Sequence, residues 1–459
     1  MRIKILSDVV RILEEKNDCA DCREITPSFY QLEVSGFCVD SRLLSPNTIF
    51  FALQGNRVDG HAFIPEAAAK GAVAAVVDRR YRGANLPIPL IYTDNVAELL
   101  QLLAQIVLQR RAVKIVGVTG SVGKTTTKDF IATLLTPDYH VFSSLGNRNS
   151  QIGLPLTILN DTTGEEDILV LEMSMDAPLH IHRLVQIAPP DIAVITSVAL
   201  VHAFHFETLG GIAKAKGEIF SHPKTSLGIL SRDIRHFSDL CKIGSCDKVS
   251  FSVNTSAADV CLVEKKGVLW VREQRGKWIE LKALPVYGRH NRHNFLAAVA
   301  VARNLGISWP RIRRAMQLLT LPENRCTIVE REGITFVNDA YNASIPSVKA
   351  ALADLPNPKP WGRKIAVLGE MKELGKFSVS CHRQVGEYAL DYVDSMWCVG
   401  EECQPIVECW EKARRPVAWC KKRSEIVELL RDEIRMGDVV LLKGSRALEM
   451  DKVLPELFP

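Results

Sequence analysis

The segment Val116-Gly-Val-Thr-Gly-Ser-Val-Gly-Lys-Thr-Thr-Thr127 indicates which fold to expect for the middle of this 459-residue chain. Residues 114–118 contain a short β-branched apolar run, which is typical of a strand buried in a parallel sheet. A glycine-rich turn, a lysine and three threonines follow, and the threonines begin a predicted helix. The order strand, glycine turn and helix is typical of α/β proteins that bind phosphate groups.

The glycine-rich turn has the composition of a polyphosphate site. Glycines let backbone N–H groups approach an anion closely, and the helix N-terminus supplies unpaired donors and a positive dipole. Lys124 adds a positive charge, and the Thr125 hydroxyl can reach Mg²⁺ bound to a phosphate. The spacing departs from the common P-loop formula, because Val118 rather than a glycine lies six positions before the lysine. The alternative is a glycine turn capped by threonine. The residues that we predict to bind the phosphate groups of a ligand are Gly120, Ser121, Gly123, Lys124, Thr125 and Thr126, which the resemblance given below assigns to ATP.

Composition excludes several classes of protein. A net charge of +4 over 459 residues is not the charge pattern of a nucleic-acid-binding protein. No stretch approaches the roughly 18 consecutive apolar residues of a membrane span. The N-terminus lacks the uninterrupted apolar core of a signal peptide. We therefore expect a cytoplasmic protein with no nucleic-acid partner and no membrane span.

The 12 cysteines are too few for a disulfide scaffold, so we interpret them as reduced thiols. Cys19-Ala-Asp-Cys22 is a single CxxC motif, and Cys398, Cys403 and Cys409 form a second, irregular cluster. Neither has a second pair at zinc-finger spacing. We interpret both clusters as incidental thiols.

Hydrophobic patterning divides the chain into three units, because 459 residues are too many for one core. We predict an α/β fold with a small N-terminal α/β domain, a central P-loop-type parallel-sheet domain and a C-terminal Rossmann-like domain. In the last unit, apolar runs that end near residues 337, 368, 399 and 442 alternate with helical segments. The predicted boundaries are 1–110, 111–320 and 321–459.

In the central unit, polar residues follow two further buried strands. Glu172 ends the predicted strand 168–171, where a second Mg²⁺-organising group is expected beside a P-loop strand. His202 follows the predicted strand 192–198. A single histidine there is more often an ordinary loop residue, but ligands of open α/β sheets bind at the carboxyl ends of strands. Lys216 lies in the predicted helix 208–220, and composition alone indicates a solvated basic face.

Three other polar segments could each bind a ligand or serve local structure. Asp40-Ser-Arg42, beside the glycine-bearing loop 54–61, could bind a polar ligand or form a solvated turn. The loop 145–155 is long enough to reach a ligand. His290-Asn-Arg-His-Asn294 could cap the helix that follows or hydrogen-bond the edge of a purine.

Together these residues resemble the Mur ligase family, the ATP-dependent amide-forming enzymes of peptidoglycan synthesis, over nearly the whole chain. The loop Thr119–Thr126 matches the family's own P-loop with its unusual glycine spacing. The spacing of fourteen residues between His202 and Lys216 also resembles the spacing found in the family. His290–Asn294 resembles the family's HNxxN element at the adenine.

The resemblance implies roles for individual residues. Lys216 would carry a carbamate and would hold a second Mg²⁺ together with Glu172 and His202, which replaces its interpretation as a solvated lysine. His205 is a nearby competitor of His202, because the family's usual residues around this histidine are missing. The implied catalytic residues are Lys124, Glu172, His202 and Lys216, and the implied Mg²⁺ ligands are Thr125, Glu172, His202 and Lys216. The further implied ATP contacts are His290, Asn291, Asn294, Arg325 and Asp339. The implied contacts of the other substrates are Ser41, Arg42, Asp59, Gly60, His61, Asn147, Asn149, Tyr341 and Asn342.

Within the family, four features favour the branch that adds D-alanyl-D-alanine. They are the Asp40 to His61 region, Gly146-Asn-Arg-Asn149, Asn338-Asp-Ala-Tyr-Asn-Ala343 and Val367-Leu-Gly-Glu-Met-Lys-Glu-Leu-Gly375. The Asp-Asn-Pro-Arg motif of the branch that adds the third peptide residue is absent from the sequence. Ser150 stands where a second asparagine is common, which affects the expected contacts to the tripeptide.

The implied reaction is a two-step acyl transfer in a monomer. The carboxylate of UDP-MurNAc-tripeptide attacks the γ-phosphate of ATP, and the amine of D-Ala-D-Ala then displaces phosphate. The sequence does not distinguish meso-diaminopimelate from lysine in the tripeptide, and it shows no base for the incoming amine. The alternatives are another Mur-type ligase, a ligase similar to folylpolyglutamate synthase, and a P-loop protein that binds a partner in a nucleotide-dependent manner. The N-terminal unit argues against the folate alternative.

Overall fold

The computed structural model describes residues 3–15, 20–22, 25–55, 57–83, 86–146, 148–201, 205–206 and 208–458. These residues form three β-sheets that follow one another along the chain, each flanked by helices. Within the described ranges, every helix is too short or too polar to cross a bilayer.

The first sheet has four parallel strands in the order β1-β2-β3-β4. Its inner strands are apolar on both faces because helices cover them, as parallel sheets require. The strands are β1 (Gly36–Cys38), β2 (Thr48–Phe51), β3 (Ala74–Asp78) and β4 (Leu90–Thr93), and the helices are α1 (Leu6–Glu14), α2 (Ile64–Ala69) and α3 (Val96–Gln109).

Both outer edges of this sheet are occupied. Beyond β1, the side-chain amide of Asn160 accepts a hydrogen bond from the Phe37 N–H at 2.8 Å and donates one to the Phe37 carbonyl at 2.9 Å. Beyond β4, Asp21 and Tyr92 exchange two backbone hydrogen bonds. Asn160 belongs to the central unit, so one of these edges is closed by another part of the fold.

The central sheet has nine strands in the order β13-β12-β11-β10-β9-β8-β5-β7-β6. The seven strands β5 to β11 pair in parallel, and β12 and β13 extend the sheet with antiparallel pairing. The strands are β5 (Lys114–Thr119), β6 (Val141–Ser143), β7 (Ile168–Glu172), β8 (Ile192–Ile195), β9 (Leu227–Ser231), β10 (Asp247–Ser252), β11 (Val260–Lys265), β12 (Val268–Glu273) and β13 (Ile279–Leu281). The helices are α4 (Lys124–Leu135), α5 (Gly153–Asn160), α6 (His180–Ile187), α7 (Leu209–Gly217), α8 (Phe237–Leu240), α9 (Asn291–Asn304) and α10 (Trp309–Ala315).

Two hydrophobic clusters cover the faces of this sheet. α4 and α9 pack against each other over one face, and α6 and α7 cover the other. α3 and α5 contribute to two clusters each. Leu154 and Ile158 of α5 belong to the central core, whereas Leu156 and Leu159 also pack on the core of the first sheet. These two helices therefore join the first and second units through shared apolar packing.

The third sheet has six strands in the order β14-β15-β19-β16-β17-β18, of which only β14 pairs antiparallel. Helices lie on both of its faces, as in a Rossmann-like fold. The strands are β14 (Thr327–Arg331), β15 (Ile334–Asn338), β16 (Lys364–Gly369), β17 (Ser395–Val399), β18 (Val417–Cys420) and β19 (Val439–Lys443), and the helices are α11 (Ile345–Ala353), α12 (Ser378–Ala389), α13 (Gln404–Lys412), α14 (Arg423–Glu433) and α15 (Val453–Leu457).

The predicted α/β fold class with three sheet-based units is confirmed. The boundaries at 110/111 and 320/321 stay predictions. Residues 227–281, whose sequence carries no motif that we could connect with chemistry, form β9 to β13.

Candidate active site

The phosphate loop lies between β5 and α4, and its glycines have conformations that other residues avoid. Gly120 has φ of 155° and Gly123 has φ of 82°. A Cβ atom on Gly123 would lie 2.3 Å from Asn294 Oδ1, and one on Gly120 would lie 1.9 Å from Thr196 Oγ1. Glycine is therefore required at both positions, because a side chain would be strained and would also collide with its neighbour.

Glu172 is the centre of the polar cluster beside this loop. β7 lies next to β5, so Glu172 at its carboxyl end faces the start of α4. The Thr125 hydroxyl donates to Glu172 Oε2 at 2.7 Å, and Asn149 Nδ2 donates to Oε1 at 2.7 Å. The side chain is buried, and two hydrogen bonds fix the direction of its carboxylate. The structure thus brings together a carboxylate, a hydroxyl and an amide.

Two lysines lie near this carboxylate. Lys124 donates to the Gly120 carbonyl at 3.0 Å. Burial lowers its pKa, the nearby Glu172 opposes that effect, and Arg325 reinforces it. Lys216 on α7 is only 2% exposed, whereas Lys214 on the same helix is exposed. Burial and the neighbouring Lys124 hold the pKa of Lys216 well below its ordinary value, against the opposing effect of Glu172. Composition indicated a solvated face for Lys216, and that interpretation is wrong.

Two predicted residues of this region, His202 and Asn147, lie outside the described residues. His205 is described and is exposed. The choice between His202 and His205 as a ligand stays a prediction. Within the described ranges, no cluster of three or more His, Cys, Asp or Glu side chains has an arrangement that could hold a metal ion.

The segment at the start of α9 faces the phosphate loop. Asn294 Oδ1 accepts from the Thr127 hydroxyl at 3.3 Å, and Asn294 Nδ2 donates to Asn291 Oδ1 at 3.0 Å. Asn291 Nδ2 donates to the Tyr287 carbonyl at 2.6 Å. His290 is the N-cap residue, but its side chain forms no capping hydrogen bond. The alternative of helix capping by this histidine is therefore wrong.

The third unit supplies the opposite wall. Arg325 Nη2 donates to the Thr125 hydroxyl at 2.9 Å, and the Arg325 guanidinium lies 4.0 Å from the centre of the Tyr341 ring. Asp339 forms an ion pair with the buried Lys443. Lys443 also donates to the Asn342 carbonyl at 3.0 Å. An arginine of the third unit therefore reaches the first turn of α4.

These residues enclose one cavity of about 590 Å³ between the second and third units. Its walls contain most of the residues predicted to bind ATP. Those that line it are Ser121, Gly123, Lys124, Thr125, Thr126, His290, Asn291, Asn294, Arg325 and Asp339, together with Asn149, Glu172, Tyr341 and Asn342.

The residues of the cavity wall that reasoning from sequence missed include four polar ones of the third unit, Lys372, Lys443, Ser445 and Arg446. The available signal was their position, because they end or follow β16 and β19, two parallel strands whose carboxyl ends meet at one edge of the sheet.

The residues predicted at the N-terminal substrate site lie apart from this cavity. Arg42 is exposed and pairs with Asp40, which lowers the pKa of Asp40 to about 2 through a side-chain hydrogen bond. The Ser41 hydroxyl donates to Glu66 at 3.0 Å. His61 forms a 2.7 Å contact with Asp59, and its Nε2 accepts from the Asp78 N–H at 3.0 Å. A Cβ on Gly60 would meet the Leu53 carbonyl at 2.6 Å.

Comparison with known proteins covers all three units. The model "Mur ligase family, catalytic domain" matches residues 33–111, "Mur ligase middle domain" matches 118–302, and "Mur ligase, glutamate ligase domain" matches 324–446. The UDP-N-acetylmuramoyl-tripeptide--D-alanyl-D-alanine ligase of Bacillus subtilis is 32% identical over 444 residues, 94% of each chain.

Solved structures of similar proteins have the same architecture. The MurF ligase of Thermotoga maritima, in complex with ADP, is 30% identical and has a TM-score of 0.80 over 92% of this chain and 97% of that one. MurF of Acinetobacter baumannii shares the fold, with 24% identity and a TM-score of 0.85 over 98% of both chains. The predicted resemblance is confirmed, and the chain belongs to the Mur ligase family.

Proposed function

We propose that this chain is an ATP-dependent ligase that joins D-Ala-D-Ala to UDP-MurNAc-tripeptide and so forms UDP-MurNAc-pentapeptide in peptidoglycan synthesis. The observation that carries the proposal is the cavity between the second and third units. It brings the phosphate loop, the Glu172 carboxylate and Arg325 to one place in a chain that matches such a ligase over 94% of its length. We further propose that the chain acts as a monomer.

The phosphate loop and α9 would hold ATP from two sides. Lys124, the N–H groups at the start of α4 and Arg325 supply positive charge and donors for the phosphates. The amides of Asn291 and Asn294 and the ring of His290 lie at the same cavity, where they can contact the base. Asp339 can accept from a ribose hydroxyl, and its ion pair with Lys443 fixes its position.

Mg²⁺ fits this site on one condition. Glu172 and Thr125 supply oxygen ligands, which Mg²⁺ prefers. An unmodified Lys216 would place an ammonium next to them, and the described residues offer no further carboxylate there. A carbamate on Lys216 would replace the cation by two oxygens, and His202 is proposed to complete the set. When bound, the metal would offset the charge of the phosphates and of the attacking carboxylate.

The depressed pKa of Lys216 favours this modification, because carbamate formation requires the neutral amine. The amine nitrogen attacks CO₂ and loses a proton, and the product is an anion. This change would let a buried lysine attract a metal ion rather than repel it.

The chain's residues then serve two successive steps. Lys124 and Arg325 reduce repulsion while a carboxylate oxygen of the tripeptide attacks the γ-phosphorus and ADP leaves. The amine of D-Ala-D-Ala next attacks the acyl carbon, loses a proton, and expels inorganic phosphate. The walls from the second and third units exclude water, which would otherwise hydrolyse the acyl phosphate.

The first unit is proposed to hold the UDP end of the substrate, through Ser41, Arg42, Asp59, Gly60 and His61. These residues lie outside the cavity, as expected for groups that recognise a remote part of a long substrate. Asn149, which contacts Glu172, and Asn147, two residues before it in the sequence, are proposed to contact the peptide. We further propose domain boundaries at 110/111 and 320/321 and a cytoplasmic location, where ATP is available.

The first test measures product formation. We expect ADP, phosphate and the pentapeptide product to form only when UDP-MurNAc-tripeptide, ATP and D-Ala-D-Ala are all present, because the acyl phosphate needs an amine to turn over. Mass spectrometry of the product and a coupled ADP assay measure this. Single amino acids at the same concentration are the control. Faster amide formation with a single amino acid would exclude the proposed substrate, and nucleotide hydrolysis without any amide would exclude a ligase.

A further inference from the structure

A short loop of the third unit forms part of the cavity wall without regular structure of its own. It spans residues 370–374, between β16 and the helical turn before α12, and we call it the wall loop. Its residues Lys372, Glu373 and Leu374 line the cavity. The position of this wall therefore depends on how the loop is attached to its surroundings.

Two side chains hold the backbone of the wall loop. The Met371 N–H donates to His382 Nε2 at 2.9 Å, and the Lys372 N–H donates to Ser445 Oγ at 2.8 Å. Ser445 lies at the cavity, after β19. His382 comes from behind the loop, on α12, and does not line the cavity. A buried N–H without a partner is costly, so each of these acceptors constrains the loop.

The ring of His382 is held in one orientation. It is fully buried, and its Nδ1 contacts the Ser378 carbonyl at 2.8 Å. Because Nε2 accepts from Met371, the proton lies on Nδ1, which donates to Ser378. A second proton on Nε2 would point at the Met371 N–H and break this attachment.

The charged groups around this ring form a network with the same loop. Lys372 contacts Glu370 at 2.6 Å and Glu402 at 3.1 Å, and Ser378 Oγ donates to Glu402 Oε2 at 2.5 Å. Burial is the largest effect on His382 and lowers its pKa below the ordinary value, and Lys372 acts in the same direction. The hydrogen bond to the Ser378 carbonyl and the carboxylates of Glu402 and Glu370 oppose this shift.

We propose that His382 is a positioning residue for the ligase reaction, which as a neutral acceptor fixes the Met371 N–H and so holds the wall loop against the cavity. This inference rests on the proposed function for its activity test. The residues proposed to contact ATP all lie on other segments, so displacement of the wall loop is expected to affect capture of the amine substrate more than binding of ATP.

The experiment compares His382→Leu, which removes the acceptor, with His382→Gln, whose amide oxygen can replace Nε2. We expect His382→Leu to lower kcat/KM for D-Ala-D-Ala by about tenfold while KM for ATP changes less than about threefold. His382→Gln is expected to retain kcat/KM within about threefold at pH 8. His140→Gln, at an exposed histidine of the second unit, is the matched control. Equal loss in the Gln and Leu variants, or no loss in Leu, would overturn the proposal.

A pH series gives a second readout that loss of packing would not produce. The ratio of His382→Gln to wild-type activity is expected to stay constant from about pH 8 to about 6.5 and to rise only at lower pH, because only histidine gains a proton and burial lowers its pKa from the ordinary value of about 6.5. A ratio that rises already above about pH 6.5 contradicts the proposal of a neutral acceptor, even if the Leu variant fails to fold.

Amide hydrogen exchange separates this inference from the proposed function. In His382→Leu, peptides that contain residues 370–374 should exchange faster than in the wild type, whatever reaction the protein catalyses. If the wild type makes no amide product but this difference is found, the proposed function fails and the role of His382 stands. Unchanged exchange in the wall loop would refute the role of His382.

Discussion

At Lys216, burial changes what a lysine side chain can do. An exposed lysine is a cation at neutral pH, with a pKa near 10.4. At 2% exposure and beside Lys124, the pKa of this amine is held well below its ordinary value, which makes the neutral form that reacts with CO₂ more accessible. Lys214, two residues away on the same helix, is exposed. The two lysines therefore provide a matched pair for mutagenesis.

We expect Lys216→Ala to lower kcat by roughly 10²-fold, the scale of losing one electrostatic stabiliser. Lys214→Ala should leave kcat nearly unchanged. Short-chain carboxylates should partly restore the Lys216 variant, because they can supply the missing anion. Steady-state kinetics test the loss, and electron density at Lys216 near neutral pH tests the carbamate. A bare ammonium together with an active alanine variant would contradict this prediction.

Much of this residue-scale picture was predictable, but only where function follows from a local motif. The phosphate loop and Glu172 were found because they end predicted parallel strands. The burial of Lys216 could not be read from its helix, since its neighbours in sequence include an exposed lysine. His382 gave no signal, because its partner Met371 lies eleven positions away in a loop and no motif connects them.

At the scale of elements, α5 connects two parts of the molecule that have different proposed tasks. It begins just after the loop that carries Asn149, and it ends at Asn160, whose amide forms two hydrogen bonds with Phe37. These two residues are 123 positions apart, so no sequence pattern could have predicted the pairing. The same limit applies to β12 and β13, because turn-rich sequence did not reveal an extension of the central sheet.

We expect Asn160→Ala to raise KM for UDP-MurNAc-tripeptide about three- to tenfold and to leave KM for ATP nearly unchanged. Without the Asn160 amide, the backbone N–H and carbonyl of Phe37 lose the two hydrogen bonds that it forms, which destabilises the junction between the first and second units by about 1–3 kcal/mol. Initial-rate kinetics with each substrate varied in turn provide the measurement. Asn304→Ala, at an exposed asparagine that ends α9, is the control. Equal effects on both KM values would show that this junction does not act on the UDP end specifically.

At the scale of the whole molecule, the first and third units contact the second unit in different ways. The first and second units share the helices α3 and α5 in their cores. The third unit meets the second through polar contacts such as Arg325 with Thr125 and an Arg289–Asp354 pair. Arg289 donates to Asp354 through its backbone N–H at 2.6 Å and its Nε at 2.8 Å. We therefore expect the third unit to move most easily.

Asp354→Ala should increase the radius of gyration measured by small-angle X-ray scattering without nucleotide. Removing one partly exposed ion pair, worth about 1 kcal/mol, would shift the ratio of open to closed molecules by about fivefold. Asp391→Ala, at an exposed aspartate of the same unit, is the control. Identical scattering curves for the Asp354 variant and the wild type would show that this pair does not hold the third unit in place.

The Asn160 amide also has a consequence for how copies of the chain meet in solution. A four-stranded parallel sheet would ordinarily present two open edges, whose unpaired N–H and C=O groups can recruit strands of other molecules. Here the Asn160 side chain forms hydrogen bonds with the Phe37 backbone on the open edge of β1, and Asp21 pairs with Tyr92 on the open edge of β4. A side chain and a single residue thus protect the sheet against intermolecular strand addition, the first step of aggregation. A contact that aligns two units of an enzyme also serves to keep its molecules separate.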